Sequence, residues 1–276
     1  MKKVAVILAL MLTSTFTFAQ DAPAQEESTE QESKFAAAVD VVYPYLWRGI
    51  SLISTEKVAF QPYASYSFTD KLTLGVWATT NFSGDEKSYN EFDWYVSYQA
   101  TPVLKVMLSD YYFNGTLENG LTRSSYWNYD ENSAQVMDFS LLFSFADKGV
   151  PLDFQWNTII YGNDFSYDDN GDKSRAFSSY AEVGYTYSLK NAEVDFRPFV
   201  GAAVINDNGF YGIDENGDSG FGFSNVGLNV AKAFKITEKY SLPVFLRYTY
   251  NDFGNVNSDG ENKHNFISGG VTFTIQ

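Results

Sequence analysis

Apolar and polar residues alternate with period two through most of the chain. The first such stretch sets Val39, Val41, Tyr43, Tyr45 and Trp47 on one face and Asp40, Pro44 and Arg48 on the other. The next places Val58, Phe60, Ala64, Tyr66 and Phe68 opposite Gln61, Tyr63, Ser65 and Ser67, and a later one sets Phe92, Trp94, Val96 and Tyr98 against Asp93, Tyr95, Ser97 and Gln99. Successive side chains of a strand point to opposite faces, so each stretch reads as a strand with one apolar face. Continued to Ile275, the pattern gives twelve strands from Phe35 onward and no helical period.

Two features of these strands set the fold class. Soluble strands run about 5–6 residues, whereas a tilted strand crossing a bilayer needs about 9–11, and these segments match the longer figure. The connections also alternate. Short ones fall near Thr69–Lys71, Thr101–Pro102, Asp147–Gly149, Leu189–Ala192 and Lys235–Lys239. Long ones fall at Gly49–Glu56, Ser83–Asn90, Gly115–Ser133, Asn163–Ser174, Asn206–Gly220 and Asp252–Asn262. An even strand count with short turns on one side and long loops on the other is the pattern of an outer-membrane barrel. The predicted fold is therefore all-β, a transmembrane antiparallel up-and-down β-barrel of about 12 strands. Both ends of the barrel lie on the short-turn, periplasmic side.

This reading assigns faces. The apolar stripes face lipid, and aromatics at strand ends (Tyr45, Trp47, Phe68, Phe92, Tyr98, Phe145, Tyr185, Tyr187, Tyr248 and Tyr250) form interfacial girdles. The other face lines a lumen. It carries the acids Asp40, Asp93, Asp138, Asp153, Glu182, Glu193 and Asp195 and the bases Arg48, Lys105, Arg197 and Arg247. Large side chains join them there: Tyr63, Trp77, Tyr95, Tyr161, Tyr180, Phe199 and Phe245. Two charges strain the outward face. Lys232 follows Val226, Leu228 and Val230 near the short-turn side and can snorkel. Asp110 continues the register of Leu104, Val106 and Leu108, and a bulge would turn it inward.

Composition narrows the function. The chain has 276 residues, a net charge of −15, no cysteine and one histidine. Without cysteine there is no disulfide framework, thiolate metal site or cysteine nucleophile. The acidity excludes nucleic acid, which needs clustered Lys and Arg. Residues 1–19, with Lys2-Lys3, an apolar core from Val4 to Leu12 and Thr17-Phe18-Ala19 before Gln20, read as a secretory signal peptide. Residues 20–35 read as a disordered acidic periplasmic tail, because a Glu/Gln/Ser-rich segment buries too little apolar surface to offset its ordering entropy. Residues 36–276 are the barrel.

A resemblance enters at the first strand. Tyr43-Pro44-Tyr45-Leu46-Trp47-Arg48-Gly49-Ile50-Ser51 resembles the aromatic-x-Arg-Gly-x-Ser stretch of the TorF-like porin family. Gln61-Pro62, Glu91-Phe92-Asp93-Trp94-Tyr95 and Tyr111-Tyr112-Phe113 are similar to its N-terminal half. The resemblance implies an outer-membrane barrel with a channel role. The Ala19-Gln20 junction and the Phe273-Thr274-Ile275-Gln276 ending resemble Gram-negative outer-membrane proteins of the Bacteroidetes type.

The expected function is passive passage of small hydrophilic solutes or ions, mildly favouring cations because acids outnumber bases in the lumen. The pore-lining candidates are Arg48, Asp93, Asp138, Asp153, Glu182, Asp195, Arg197 and Arg247. The alternative is a non-conducting structural or adhesive barrel acting through its long outer loops. In it these charges pair across the wall and close the lumen. The expected partners are outer-membrane lipids, the barrel-assembly machinery and the solute. No cofactor is expected, and no enzyme. A lipid hydrolase would have to use His264 with Ser258 and Asp259, which no nucleophile motif surrounds. Two Asp-x-Asn-Gly-Asp loops (Asp168, Asn170, Asp172 and Asp214, Asn216, Asp218) offer alternating oxygen ligands of the kind calcium takes. No downstream Glu completes either site, and turn chemistry explains both equally.

Overall fold

A computed structural model describes residues 34–52, 57–82, 89–113, 125–256 and 262–275. The signal peptide, nearly all of the acidic tail, Ser258 and Asp259 lie outside the described residues. Twelve antiparallel strands form one closed sheet. They are β1 (Phe35–Tyr43), β2 (Ala59–Ser67), β3 (Leu72–Thr80), β4 (Asn90–Thr101), β5 (Leu104–Phe113) and β6 (Gln135–Ser144). After them come β7 (Leu152–Gly162), β8 (Ser179–Tyr185, continued by Tyr187–Leu189), β9 (Val194–Ile205), β10 (Gly222–Lys235), β11 (Ser241–Val256) and β12 (Asn262–Ile275). Each pairs with its sequence neighbours, and β1 pairs with β12 to close the cylinder, Val39 opposite Phe273 and Tyr43 opposite Gly269. Closure leaves no edge whose backbone groups would need water, which is why a sheet can sit in hydrocarbon.

The observed faces follow the alternation. Phe68, Phe92, Tyr98, Tyr185, Tyr187 and Tyr248 are exposed on the outer surface, as girdle residues should be. Trp77, Tyr95, Tyr180, Phe199 and Phe245 are buried inside. The hairpin of β11 and β12 runs further than the sequence suggests, because the ladder continues past an irregularity between Tyr250 and Asn255.

Three placements differ from the sequence reading. Tyr45 and Trp47 are not girdle residues. β1 stops at Tyr43, and Tyr45, Leu46, Trp47 and Arg48 are all buried. Pro44 has no N–H to give the ladder, so the chain leaves the wall there and turns into the lumen. Tyr161 faces outward. A bulge opposite Met137 and Asp138 puts Met137 across from Tyr161 and Asp138 across from Ile159, so Ile160 and Tyr161 both end up outside.

Asp110 is the third. No bulge turns it inward: it pairs with outward Trp94 and Met137. It is nonetheless fully buried, because the segment around Tyr126–Tyr129 folds down over the outer wall. Tyr129 donates to Asp110 Oδ2 at 2.6 Å, Gln135 Nε2 to Oδ1 at 2.7 Å, and Tyr126 to Oδ1 at 3.3 Å. Burial, with the charge of Asp110 beside it, pushes the Tyr126 hydroxyl up to about 12, so it stays a donor. Lys232 does snorkel: its Nζ reaches the Ala192 carbonyl in a short turn at 2.8 Å.

Candidate functional site: the lumen and its inserted segment

The lumen is filled from two directions at its long-loop end. The segment after Pro44 enters from β1, held as a small hairpin by the pairs Leu46–Ser51 and Trp47–Ile50. Arg48 and Gly49 take its turn, both at positive φ (48° and 85°). From the loop between β9 and β10, Phe210 and Tyr211 descend to meet it. Asn206 fixes that descent, accepting the Tyr211 N–H at 2.8 Å and donating to the Gly212 carbonyl at 2.8 Å. Trp47 stacks on Tyr211 with centroids 5.8 Å apart and interplanar angle 23°, and meets Tyr111 edge-on at 5.9 Å. Tyr45 packs on Trp77 at 5.7 Å. An aromatic core of Tyr45, Trp47, Trp77, Tyr111, Tyr180 and Tyr211 therefore spans the barrel interior.

Arg48 is the polar centre of this plug. Its Nη2 donates to Asp138 Oδ2 on β6 at 2.8 Å, and its Nη1 to the Tyr211 hydroxyl at 2.8 Å. The guanidinium lies 4.6 Å from the Trp47 ring and 5.2 Å from the Tyr180 ring. A buried guanidinium is tolerated only where charge and hydrogen bonds compensate its lost hydration. Asp138 is completed by Ser140 at 2.6 Å. Gly49 lies so close to β10 that a Cβ would fall 1.6 Å from the Ser224 carbonyl oxygen, and its own carbonyl accepts from Asn251 at 2.9 Å.

The remaining pore-lining candidates fall into two groups. Arg197 on β9 is engaged by Asp153 on β7 and by Glu182 on β8, the latter at 3.0 Å, and its Nε also donates to Asp153 at 3.0 Å. Asn225 donates to Glu182 at 2.8 Å and to the Tyr180 hydroxyl at 3.0 Å. Arg247 lies inside, 5.0 Å from the Phe199 ring. Asp195 is half-buried near the short-turn end, opposite Ser188 and Ala231. Asp93 belongs to a separate acidic group on β4. There Glu91 accepts from Tyr89 at 3.0 Å and from Tyr45 at 3.4 Å, while Asp93 accepts the Tyr112 N–H at 3.3 Å. Glu193, assigned to the lumen by the alternation, is instead exposed in a short turn before β9 begins. Sequence reasoning placed Arg48 inside but missed Glu91, Tyr211 and the inward course of Tyr45–Trp47. Pro44 inside a supposed strand and the Arg-Gly pair were the available signals.

The two Asp-rich loops are Asx turns. Asp168 Oδ1 accepts the N–H groups of Asn170 and Asp172, each at 2.9 Å, and Asp214 Oδ1 those of Asn216 and Asp218 at 2.9 and 2.8 Å. These backbone donors hold both carboxyls below the usual carboxylate range. Among the described residues no three acids or histidines gather to hold a metal. His264 faces the Asn251 carbonyl at 2.8 Å and stacks on Tyr250 at 6.2 Å.

Comparison with known proteins bears on the fold and the family. The NanC porin shares 13% identity over 87% of this chain and 100% of that one, with a TM-score of 0.51, which supports the closed antiparallel β-barrel fold. LpxR from Salmonella typhimurium (12% identity, 86% and 99% covered, TM-score 0.40) and a Pseudomonas aeruginosa FadL homologue (12%, 87% and 74%, 0.37) are more distant in shape. No curated protein matches the sequence. Residues 26–218 match the model of a bacterial protein family of unknown function, Gcw_chp, and the chain belongs to that family.

Proposed function

We propose that the protein is a bacterial outer-membrane channel for small hydrophilic solutes or ions, mildly favouring cations, and that the inserted segment from Pro44 to Ser51 closes it in the conformation described. The observation that carries this reading is the Arg48–Asp138 pair (2.8 Å), which together with the Asn251–Gly49 hydrogen bond ties a loop-borne plug to the wall through side chains rather than through a continuous strand. A plug anchored by side chains can leave the lumen while the wall stays paired. The TorF-like resemblance of Tyr43–Ser51 supports the channel role and falls on the plug itself. On this reading the leader is removed on export, the assembly machinery inserts the barrel, and the outward stripes meet outer-membrane lipid.

Planar-bilayer recording tests it. Wild-type protein should show low, infrequent conductance, and Arg48→Ala/Asp138→Ala should show larger and longer openings. Folded barrels silent in both forms would sink the channel reading. They would favour a non-conducting barrel acting through its loops, a reading that Arg197 tied to Asp153 and Glu182 across the wall also supports. We propose no hydrolytic role for His264. Ester hydrolysis by the folded protein, lost in His264→Ala, would overturn that.

A further inference from the structure

Lumen-facing polar side chains are not spread evenly round the wall. One row runs across five consecutive strands of the closed sheet. Thr272 on β12 lies opposite Asp40 on β1, which lies opposite Gln61 on β2. Gln61 faces Thr79 on β3, between the pairs Phe60–Thr80 and Tyr63–Trp77, and Thr79 lies opposite Glu91 on β4. Strands of a barrel tilt against its axis, so a row perpendicular to them climbs the lumen. Thr272 is near the short-turn end of β12, and Glu91 is at the long-loop end of β4.

The row is acidic and carries unmet polar atoms. Among the described residues, no Lys or Arg pairs with Asp40, Glu91 or Asp93. Glu91 and Asp93 stand two positions apart on the lumen face of β4, both buried. Between the acids, Gln61 and Thr79 are each 2% exposed, and Gln61 Nε2 and Thr79 Oγ1 meet no protein partner. Buried polar atoms are otherwise satisfied by protein or by ordered water; Gln61 Nε2, an N–H donor, calls for water, and Thr79 Oγ1 can face water or a cation. Arg197 and Arg247 stand elsewhere, on β9 and β11, with Arg197 six strands from Thr79. The acids beside Arg197, Asp153 and Glu182, are already paired with it, whereas, among the described residues, those of the row are not paired with a base. Porins and cation channels use charged linings to select ions.

We propose that Asp40, Gln61, Thr79, Glu91 and Asp93 form a hydrated route for small metal cations along one side of the lumen, with Asp40 and Glu91 setting cation selectivity. Tyr45 closes its upper end, since the hydroxyl of this plug residue lies on Glu91 at 3.4 Å. The selectivity role rests on the channel reading above, whereas cation binding to the row does not.

The test pairs two measurements on Asp40→Asn/Glu91→Gln, a near-isosteric change whose folding is checked by heat-modifiable gel migration. In bilayers under a potassium chloride gradient, the wild-type potassium-to-chloride permeability ratio should exceed one and fall by about threefold or more in the variant. An unchanged ratio overturns the route and leaves the channel standing. In detergent, replacing choline chloride with potassium chloride at constant ionic strength should change the emission of the tryptophans, Trp77 beside Tyr45 among them, in wild type and not in the variant. Silent bilayers with that spectral difference would retain the cation site and remove the channel. Identical spectra in both proteins would overturn the proposal.

Discussion

Arg48 and Asp138 are 90 positions apart in the chain and 2.8 Å apart in the lumen, both almost wholly buried. Their pairing joins a segment that has left the wall to a strand that stays in it. Removing one partner leaves the other charged and buried, which costs about 3–5 kcal/mol. Arg48→Ala should therefore lower the urea midpoint of the detergent-folded barrel markedly. Arg48→Ala/Asp138→Ala should recover part of that loss, because no orphan charge remains. A double variant as unstable as the sum of the singles would show that the two residues do not act on each other.

Gly49 tests the same plug without altering any charge. At φ 85° and with a Cβ position 1.6 Å from the Ser224 carbonyl, it cannot become alanine in place. Gly49→Ala should displace the segment and raise bilayer conductance as Arg48→Ala/Asp138→Ala does, with the barrel still heat-modifiable. Conductance at the wild-type level, with an unshifted urea midpoint, would mean that Gly49 is not held against β10.

The wall of this molecule was legible in its sequence and the plug was not, for a physical reason. A strand crossing lipid must be apolar at every second position, so Leu104, Val106 and Leu108 disclose their face. Tyr43, Tyr45 and Trp47 continue the same alternation, although only Tyr43 belongs to the wall. An aromatic is equally suited to a lipid interface and to a packed lumen, so period two cannot separate them. Asp110 misleads in the opposite way. It obeys the outward register, and the residues that make this tolerable lie up to 25 positions downstream.

The cover over Asp110 makes its own prediction. Asp110→Ala takes the shared acceptor from Tyr126, Tyr129 and Gln135, at about 1–3 kcal/mol for buried donors left unsatisfied. The strap should then lift from the wall, and chymotrypsin should cut after Tyr126 or Tyr129 in folded barrels that resist it as wild type. Asp110→Asn keeps one acceptor oxygen and should be cut more slowly. Equal resistance in all three proteins would mean that the strap is held by its ring contacts alone, such as Tyr112 on Tyr126 at 4.9 Å.

Gly184 and Arg197 supply the last test, on the side of the lumen opposite Thr79. A Cβ at Gly184 would stand 2.3 Å from Arg197 Nη2, so the guanidinium lies where a side chain would otherwise be. Gly184→Ala should push Arg197 off Asp153 and Glu182 and leave those acids without their base. Its effect should depend on the arginine being present. In an Arg197→Met background the flexible thioether can yield, and the cost of Gly184→Ala should shrink by about 0.5–3 kcal/mol, the range seen for residues in contact. The measurement is a double-mutant cycle on urea midpoints. A zero coupling would show that the glycine is there for the backbone and not to seat Arg197. The ion pairs of Arg197 with Asp153 and Glu182 would then have to be held by β7, β8 and β9 without help from this contact.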